Sequence, residues 1–442
     1  MPIIPKIPSD ANLPKRATVV VIGGGIIGAC ITLELAERGI DVVLVEKGEI
    51  ACEQSSRNWG WCRQMGRDAR EIPLAKVSLE LWQNMTARIE AETGFRQCGV
   101  LYFAENAGIL AQKQAWFETN VSRFGLKTEV VSGQRLADLL PGAARSMAGA
   151  LYTSDDGRAE PFIAAQAVAL AARRKGAKVF TNCAARGFET TAGRVSSVVT
   201  ELGTIACDTA AIAGGAWTRR FLRNAGIPFK QLGVVTSAMR TEPRDIGHER
   251  TASGSGFTFR KRLDGGFTIT HAGYSVADIL PSSFSHFLDF LPVLRLEHGS
   301  LKFRFGKRFF EEARLKSHWK LDERSPFEDV RILDPEPVQW ILDDALSKLQ
   351  ALFPAFAGIK PVESWAGFID TTPDVIPVIS ETGKLPGLFI ASGFSGHGFG
   401  IGPGAGKLAA QMITGEAPCV DPAPFRYTRQ FDGTRPDPTT TP

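Results

Sequence analysis

The chain has 442 residues, enough for two domains with large cores. Apolar residues make up 44% and charged residues 22%, ordinary for a globular protein, and a net charge of +4 gives nucleic-acid binding no compositional support. The seven cysteines, odd in number and without a C-x-x-C pair, exclude a disulfide framework or a zinc site and read as reduced thiols of a cytoplasmic-type protein. There is no apolar run of about 18 residues, and the proline-rich start Met1–Pro8 cannot form a signal-peptide core, so a soluble or at most peripheral protein is expected.

A β-branched run, Thr18–Ile22, passes straight into Gly23-Gly24-Gly25. A helical pattern through Ile31, Leu33 and Leu35 follows, stops at Gly39, and gives way to a second β-branched run that ends in Glu46-Lys47. This strand–turn–helix–strand context makes G-x-G-x-x-G meaningful. Gly23 permits the tight turn, Gly25 lets the backbone (with Ile27 beyond it) approach a pyrophosphate, and Gly28 permits close helix–strand packing. The helix N-terminus offers N–H groups and positive dipole to phosphates. Glu46 is placed for a ribose 2′-hydroxyl, and an acid there argues for FAD or NAD over NADP.

The segment Gly48–Asp68 carries Gln54, Ser55, Ser56, Arg57, Gly60, Arg63, Gln64, Arg67 and two tryptophans. A loop this rich in Trp and Arg is expected to pack on something flat and anionic. Helices are predicted over Leu74–Thr93 and Ala107–Phe124, and strands over Gly99–Phe103 and Gly149–Thr153. Pro161 opens a helix that ends at Arg173-Arg174-Lys175-Gly176, basic in its last turn with glycine beyond. A hairpin is expected through Thr191-Ala192-Gly193, followed by a strand over Thr209–Ala213 that finishes in Gly214-Gly215-Ala216-Trp217. Small residues finishing a parallel strand mark a place where a cofactor can lie against backbone.

From Gln231 to Trp365 strands surround an Asp264-Gly265-Gly266 turn, and a Phe-rich segment interleaved with Arg and Lys interrupts them. That segment reads either as a lid packed on the body or as a patch lying on an anionic membrane surface. Near the end, Leu388–Ser392 is a strand running into glycines, with a helix expected from about Ala405. Gly393, Gly396, Gly398 and Gly400 would leave bare N–H groups as a second backbone cradle, with His397 held among them. No metal-ligand spacing is present.

The two cradles and the Ala213-Gly214-Gly215-Ala216-Trp217 strand end resemble the D-amino-acid oxidase/glycine oxidase family of flavoproteins, over nearly all of Ala17–Tyr427. Several runs look similar to bacterial L-amino-acid deaminases: Glu46-Lys47-Gly48, Glu53-Gln54-Ser55-Ser56-Arg57, Cys183-Ala184-Ala185-Arg186-Gly187, Ser317-His318-Trp319 and Ser325-Pro326-Phe327-Glu328. Their N-terminal hydrophobic anchor has no counterpart in this sequence, and Asn58–Gln64 departs from their pattern.

The resemblance implies an α/β fold: a glutathione-reductase-like Rossmann domain interleaved with an α+β substrate domain on a mostly antiparallel sheet. The expected division is 15–75, 150–230 and 366–430 for FAD, and 76–149 and 231–365 for substrate. An inserted module is expected at 282–330 and a disordered tail over 432–442. The implied cofactor is FAD, held without a covalent bond by the glycines above together with Glu46, Lys47, Ser55, Ser56, Arg57, Gly60, Ala185, Ala213, Gly214, Trp217 and His397. Arg260 resembles the family's strand arginine that binds substrate carboxylate, a task suited to a planar guanidinium, or else it is a surface arginine at a hairpin. Trp61, Arg63, Gln64 and Trp365 are expected at the substrate, and His397 is a candidate for proton transfer.

The expected reaction is oxidation of an α-amino acid, with hydride passing from Cα to the flavin and the imine hydrolysed to a 2-oxo acid and ammonia. An opine or other secondary-amine oxidase is the alternative on the same scaffold, and a non-catalytic flavin-binding subunit is the alternative of another class. Partners are a small amino acid or amine and an electron acceptor, oxygen or quinone. The expected location is cytoplasmic, with membrane contact through the Phe/Arg segment left open.

Overall fold

The computed structural model describes residues 2–254 and 256–438. Its first sheet runs in the order Val378–Glu381, Leu388–Ser392, Thr209–Ile212, Val19–Ile22, Val42–Val45, Lys178–Phe180. All neighbours are parallel except the edge strand Val378–Glu381. The β-branched runs suit this arrangement because both faces are covered. Val19 and Val21 face a helical layer, built of Ile26–Glu37, Ala164–Arg174 and Gly398–Thr414. Val20, Ile22, Val43 and Val45 face an antiparallel meander, Ala185–Thr191, Arg194–Thr200 and Gly203–Ala206, through Val195, Val198 and Ile205. The predicted hairpin forms there, with Ala192 (φ 50°) and Gly193 (φ 77°) both left-handed as a tight right-twisted turn requires.

The second sheet is larger and mostly antiparallel. Leu232–Thr241 pairs along its length with Pro361–Thr371, and further strands include Thr251–Gly254, Phe257–Lys261, Phe267–Thr270 and Val100–Ala104. Phe103, Phe257, Phe259 and Phe267 pack under the helix Gln339–Leu352, closed by Phe353 and Phe356. The Phe-rich segment does not stand apart: Leu301–Arg304 pairs in parallel with Ser275–Asp278 and so extends this sheet. Around it the helices Phe287–Leu296 and Lys307–Arg314 leave Phe284, Phe287, Leu288, Phe303, Phe305 and Phe310 exposed.

The predicted helix at Ala107–Phe124 forms with those bounds, capped by the Asn106 side chain. The helix expected from Leu74 spans Ile72–Ile89 and ends where Glu90 turns left-handed (φ 49°). The largest departure lies at the C-terminal glycines, where the helix begins at Gly398 rather than near Ala405. Several glycines of this helix are required for close contact. A Cβ on Gly400 would stand 2.7 Å from the Trp61 carbonyl oxygen, one on Gly404 2.8 Å from that of Leu74, and one on Gly406 2.5 Å from the Cys30 Cβ. Pro403 sits inside this helix, and side chains repair the turn around it. Ser78 Oγ and Trp82 Nε1 donate to the Gly400 carbonyl at 2.8 and 3.0 Å, and the Gly404 N–H donates to Ser78 Oγ.

All seven cysteines are free thiols. Of the expected disordered tail, 439–442 lie outside the described residues. Within 432–438, Asp432 pairs with Arg426, and Arg70 donates to the Asp437 carbonyl. No described helix is long and apolar enough to cross a membrane.

Candidate active site

The glycine turn is fixed by sterics at Gly23 and Gly28. Gly23 has φ +111°, and a Cβ there would meet the Ala213 carbonyl oxygen at 2.4 Å. On Gly28 a Cβ would fall 1.9 Å from the Gly23 oxygen, so helix and strand can close only around glycine. Gly25 is the N-cap of Ile26–Glu37 and contributes no side chain. The cap is supplied from outside, by Ser55 Oγ accepting from the Ile26 N–H at 2.9 Å. A cavity of about 160 Å³ starts at this helix end. Gly23, Gly25, Ile27, Glu46 and Ser55 line it first, and Ala185, Ala213, Gly214 and Trp217 further along. Gly396 and Gly398 complete the wall.

Glu46 is buried, and burial raises its carboxyl above the ordinary value even though the Gly24 and Gly48 N–H groups donate to it at 2.6 and 2.7 Å. Lys47 also lines the cavity, with its ammonium 4.4 Å over the Trp217 ring and held by Glu53 and two backbone carbonyls. The residues present fit a dinucleotide: N–H groups and a helix dipole at one end, a carboxylate one strand away, and small residues along the floor.

A second cavity, of about 490 Å³, shares Gln54, Asn58, Gly396 and Phe399 with the first. Its wall carries Trp61, Arg63, Arg67, Tyr102, Lys113 and His397. Arg67 is 3% exposed, and its Nε and Nη1 have no hydrogen-bond partner. Burial, then the neighbouring Arg63, pushes its guanidinium down to about 10. Lys113 is pushed down to about 8 by burial and by Arg63. Behind them Asp156 accepts from the Gln64 and Met65 N–H groups, and burial raises it to about 7. His397 Nδ1 meets Glu71 Oε2 at 2.8 Å, yet burial, followed by Arg67, keeps the imidazole below its ordinary value. The chamber is cationic, aromatic and shielded, which strengthens any charge-assisted bond made inside it.

Three expected substrate contacts lie elsewhere. Arg260 lines neither cavity. It is 1% exposed, its two Nη atoms meet Glu160 at 3.2 and 3.0 Å, and its Nε donates to the Trp59 carbonyl. Burial raises the Glu160 carboxyl, but Arg260 and Arg262 outweigh it and hold the group ionised. The guanidinium therefore already has its carboxylate. Trp365 is buried against Phe162 and donates to the Arg57 carbonyl, and Gln64 is buried, lines neither cavity and donates its backbone N–H to Asp156.

Several residues expected at the cofactor also make contacts within the protein. Arg57 donates to the Ala366 and Cys52 carbonyls and pairs with Asp334, and Ser56 Oγ donates to the Glu53 carbonyl. Gly28 packs helix on strand, and the Gly393 N–H donates to Asp370. Gly60 and Gly400 line the second cavity, where Gly60 (φ +76°) lets Arg260 and the Ala159 carbonyl pass close by. From the sequence Arg67 is one of several arginines in a loop expected to pack on something anionic, and Lys113 is not marked out. For Lys113 a signal existed: on the helix Ala107–Phe124 it shares the inward stripe of Ile109, Trp116 and Asn120.

A dinucleotide cavity that shares a wall with a shielded cationic chamber is the layout of a cofactor-dependent oxidoreductase. The model of the family described as DAO, FAD dependent oxidoreductase, matches residues 18–412, and the chain belongs to that family. It is thus an FAD-dependent oxidoreductase of the amino-acid and amine class. The L-amino acid deaminase of Proteus myxofaciens, solved with anthranilate, is 32% identical with a TM-score of 0.93, each chain covering 96% of the other. The L-amino acid deaminase of Proteus vulgaris is also 32% identical, with a TM-score of 0.92 over 96% of this chain and 100% of that one. The 4-methylaminobutanoate oxidase (formaldehyde-forming) of Paenarthrobacter nicotinovorans is 27% identical over 93% of this chain, which spans 45% of that protein's length.

Proposed function

We propose that the protein oxidatively deaminates an α-amino acid, with Arg67 as the residue that binds the substrate carboxylate. The observation that carries this reading is Arg67, which lines the chamber with a buried guanidinium whose Nε and Nη1 have no hydrogen-bond partner. A buried unpaired charge is costly, and a planar carboxylate is the group whose geometry meets it. Likeness to two L-amino acid deaminases along nearly the whole chain supports the same substrate class.

In this reading the domain spanning 15–75, 150–230 and 366–430 holds FAD through Gly23, Gly25, Glu46, Ser55, Ala213–Trp217 and Gly396–Gly398. Bound FAD supplies the hydride acceptor, and the resulting imine is hydrolysed to a 2-oxo acid and ammonia. The protein's own part is to bind, orient and exclude water. Arg67 fixes the carboxylate, Trp61 and Tyr102 wall off solvent, and His397 lines the chamber with its Nδ1 on Glu71. Non-covalent attachment is supported by the burial of Cys52, the cysteine in the cofactor wall, which leaves its thiol protonated and unreactive.

The test is Arg67→Met. Losing a charge-assisted bond of about 1.5–3 kcal/mol raises KM for an amino acid roughly 10- to 150-fold. Flavin content should stay unchanged, and an unchanged KM would remove Arg67 from the site. A secondary amine is the second reading, favoured by likeness to an enzyme whose name denotes a methylated amine. Faster flavin reduction by N-methylated than by free amino acids would establish it. We also propose that the exposed Phe284, Phe287, Phe303, Phe305 and Phe310, among Lys302 and Arg308, touch anionic membrane and leave quinone as the acceptor. Failure to float with anionic liposomes, or stoichiometric peroxide release in oxygen, would reject the membrane and quinone parts respectively.

A further inference from the structure

The chamber holds more positive charge than one α-carboxylate needs. Arg63, Arg67 and Lys113 all line it, exposed by 9%, 3% and 8%. Two carboxylates, Glu71 and Asp156, attract the Arg67 guanidinium through space. Asp156 accepts from two backbone N–H groups, and Glu71 has one oxygen on His397 and the other without a hydrogen-bond partner. Glu297, the acid that lines the cavity among the described residues, accepts from Ser300 Oγ. Lys113 makes no ion pair or hydrogen bond among the described residues, and its ammonium stands 5.2 Å from the Tyr102 ring centre. The Arg63 guanidinium stands at the same distance from that ring, and 5.8 Å from Trp61. Two cations thus stand at one aromatic ring, and neither is ion-paired with a carboxylate of the described residues.

We infer that Lys113 and Arg63 form a second anion subsite beside Tyr102, and that the substrate is an α-amino acid with a second carboxylate on its side chain. This inference rests on the reading of Arg67 as the α-carboxylate ligand. Dispersing two anionic groups over three buried cations removes both the repulsion at Tyr102 and the unpaired charge at Lys113. An amide of the same size offers the subsite no charge and is bound less well. Arg63 is partly engaged already, donating to the Met65 carbonyl, so Lys113 is the residue that sets the preference.

The experiment compares aspartate with asparagine and glutamate with glutamine, both enantiomers of each, as reductants of the flavin in the intact holoenzyme without oxygen. Binding of glutarate and of butanoate to the holoenzyme, by calorimetry, gives a second readout independent of turnover. The expected result is a preference of roughly tenfold or more for the dicarboxylate over its amide, and for glutarate over butanoate. Lys113→Met should cut that preference about tenfold by raising KM for the dicarboxylate more than for the amide, and Lys113→Arg should restore it. Amides reducing the flavin as well as the acids do, or Lys113→Met affecting both alike, overturns the subsite while leaving the deaminase reading in place. Reduction by none of the eight amino acids while other α-amino acids bleach the flavin also overturns the subsite and leaves the deaminase reading in place, whereas no bleaching by any α-amino acid overturns both.

Discussion

Replacing Arg260 by methionine separates a structural arginine from a substrate-binding one. In the structure Arg260 and Glu160 are 1% and 5% exposed and meet through a two-pronged contact. Removing one partner of a buried pair costs about 3–5 kcal/mol, because the other charge is left behind. Arg262, 3.4 Å from the same carboxylate, remains to compensate in part, so the lower end, about 3 kcal/mol, applies. At about 2.1 cal/mol/K of unfolding entropy per residue, 442 residues give roughly 0.9 kcal/mol/K. The melting temperature of the holoenzyme should therefore drop by about 3 °C if the chain unfolds as one unit. The assay is thermal unfolding followed by tryptophan fluorescence, with KM measured in parallel well below the transition. KM should stay within about twofold, since the side chain lines neither cavity. A strongly raised KM with an unmoved melting temperature would refute the assignment and return Arg260 to the substrate.

Gly28→Ala places a methyl group 1.9 Å from the Gly23 carbonyl oxygen, so the turn must open, and the purified variant should carry no flavin. Full flavin content would contradict the cradle. Ser78→Ala strips a donor from the Gly400 carbonyl and an acceptor from the Gly404 N–H. It should cost about 1–3 kcal/mol in denaturant unfolding, and no change would mean the Pro403 turn needs no repair. For His248, burial and then Arg250 push the imidazole down to about 4 from an ordinary 6.5. As a base with a lowered folded value, it takes up its proton on unfolding, so stability falls as pH drops from 6.5 toward 4. His248→Phe should flatten the decline in melting temperature over that window, and an identical decline would exclude His248 as its source.

What could be read from the sequence was local. Thr18–Gly28 and Glu46 announce their roles through contiguous pattern: β-branched strands, a glycine turn dictated by sterics, and an acid at the next strand end. The helix Ala107–Phe124 and the hairpin at Ala192-Gly193 are likewise set by near neighbours. The errors all involve partners distant in sequence. Arg260 looked available because Glu160, 100 residues away, cannot be paired with it by inspection. The run Gly398–Gly404 looked like a bare loop because the groups that need its glycines, Trp61, Leu74 and Ser78, belong to other elements. Arg67 stayed inconspicuous for the opposite reason: its significance is the absence of hydrogen-bond partners at Nε and Nη1, which only the folded surroundings reveal.

The account stands or falls on whether an amino acid delivers its hydride within this chamber. Anaerobic titration of the purified holoenzyme with a panel of amino acids in both configurations, following the oxidised flavin's visible absorbance, tests this. Bleaching by at least one α-amino acid, with a 2-oxo acid formed in equal amount and the affinity weakened in Arg67→Met, is the predicted result. A flavin that stays oxidised with every amino acid and N-alkyl amino acid tried would contradict it and leave a protein that binds FAD without using it on this class of substrate.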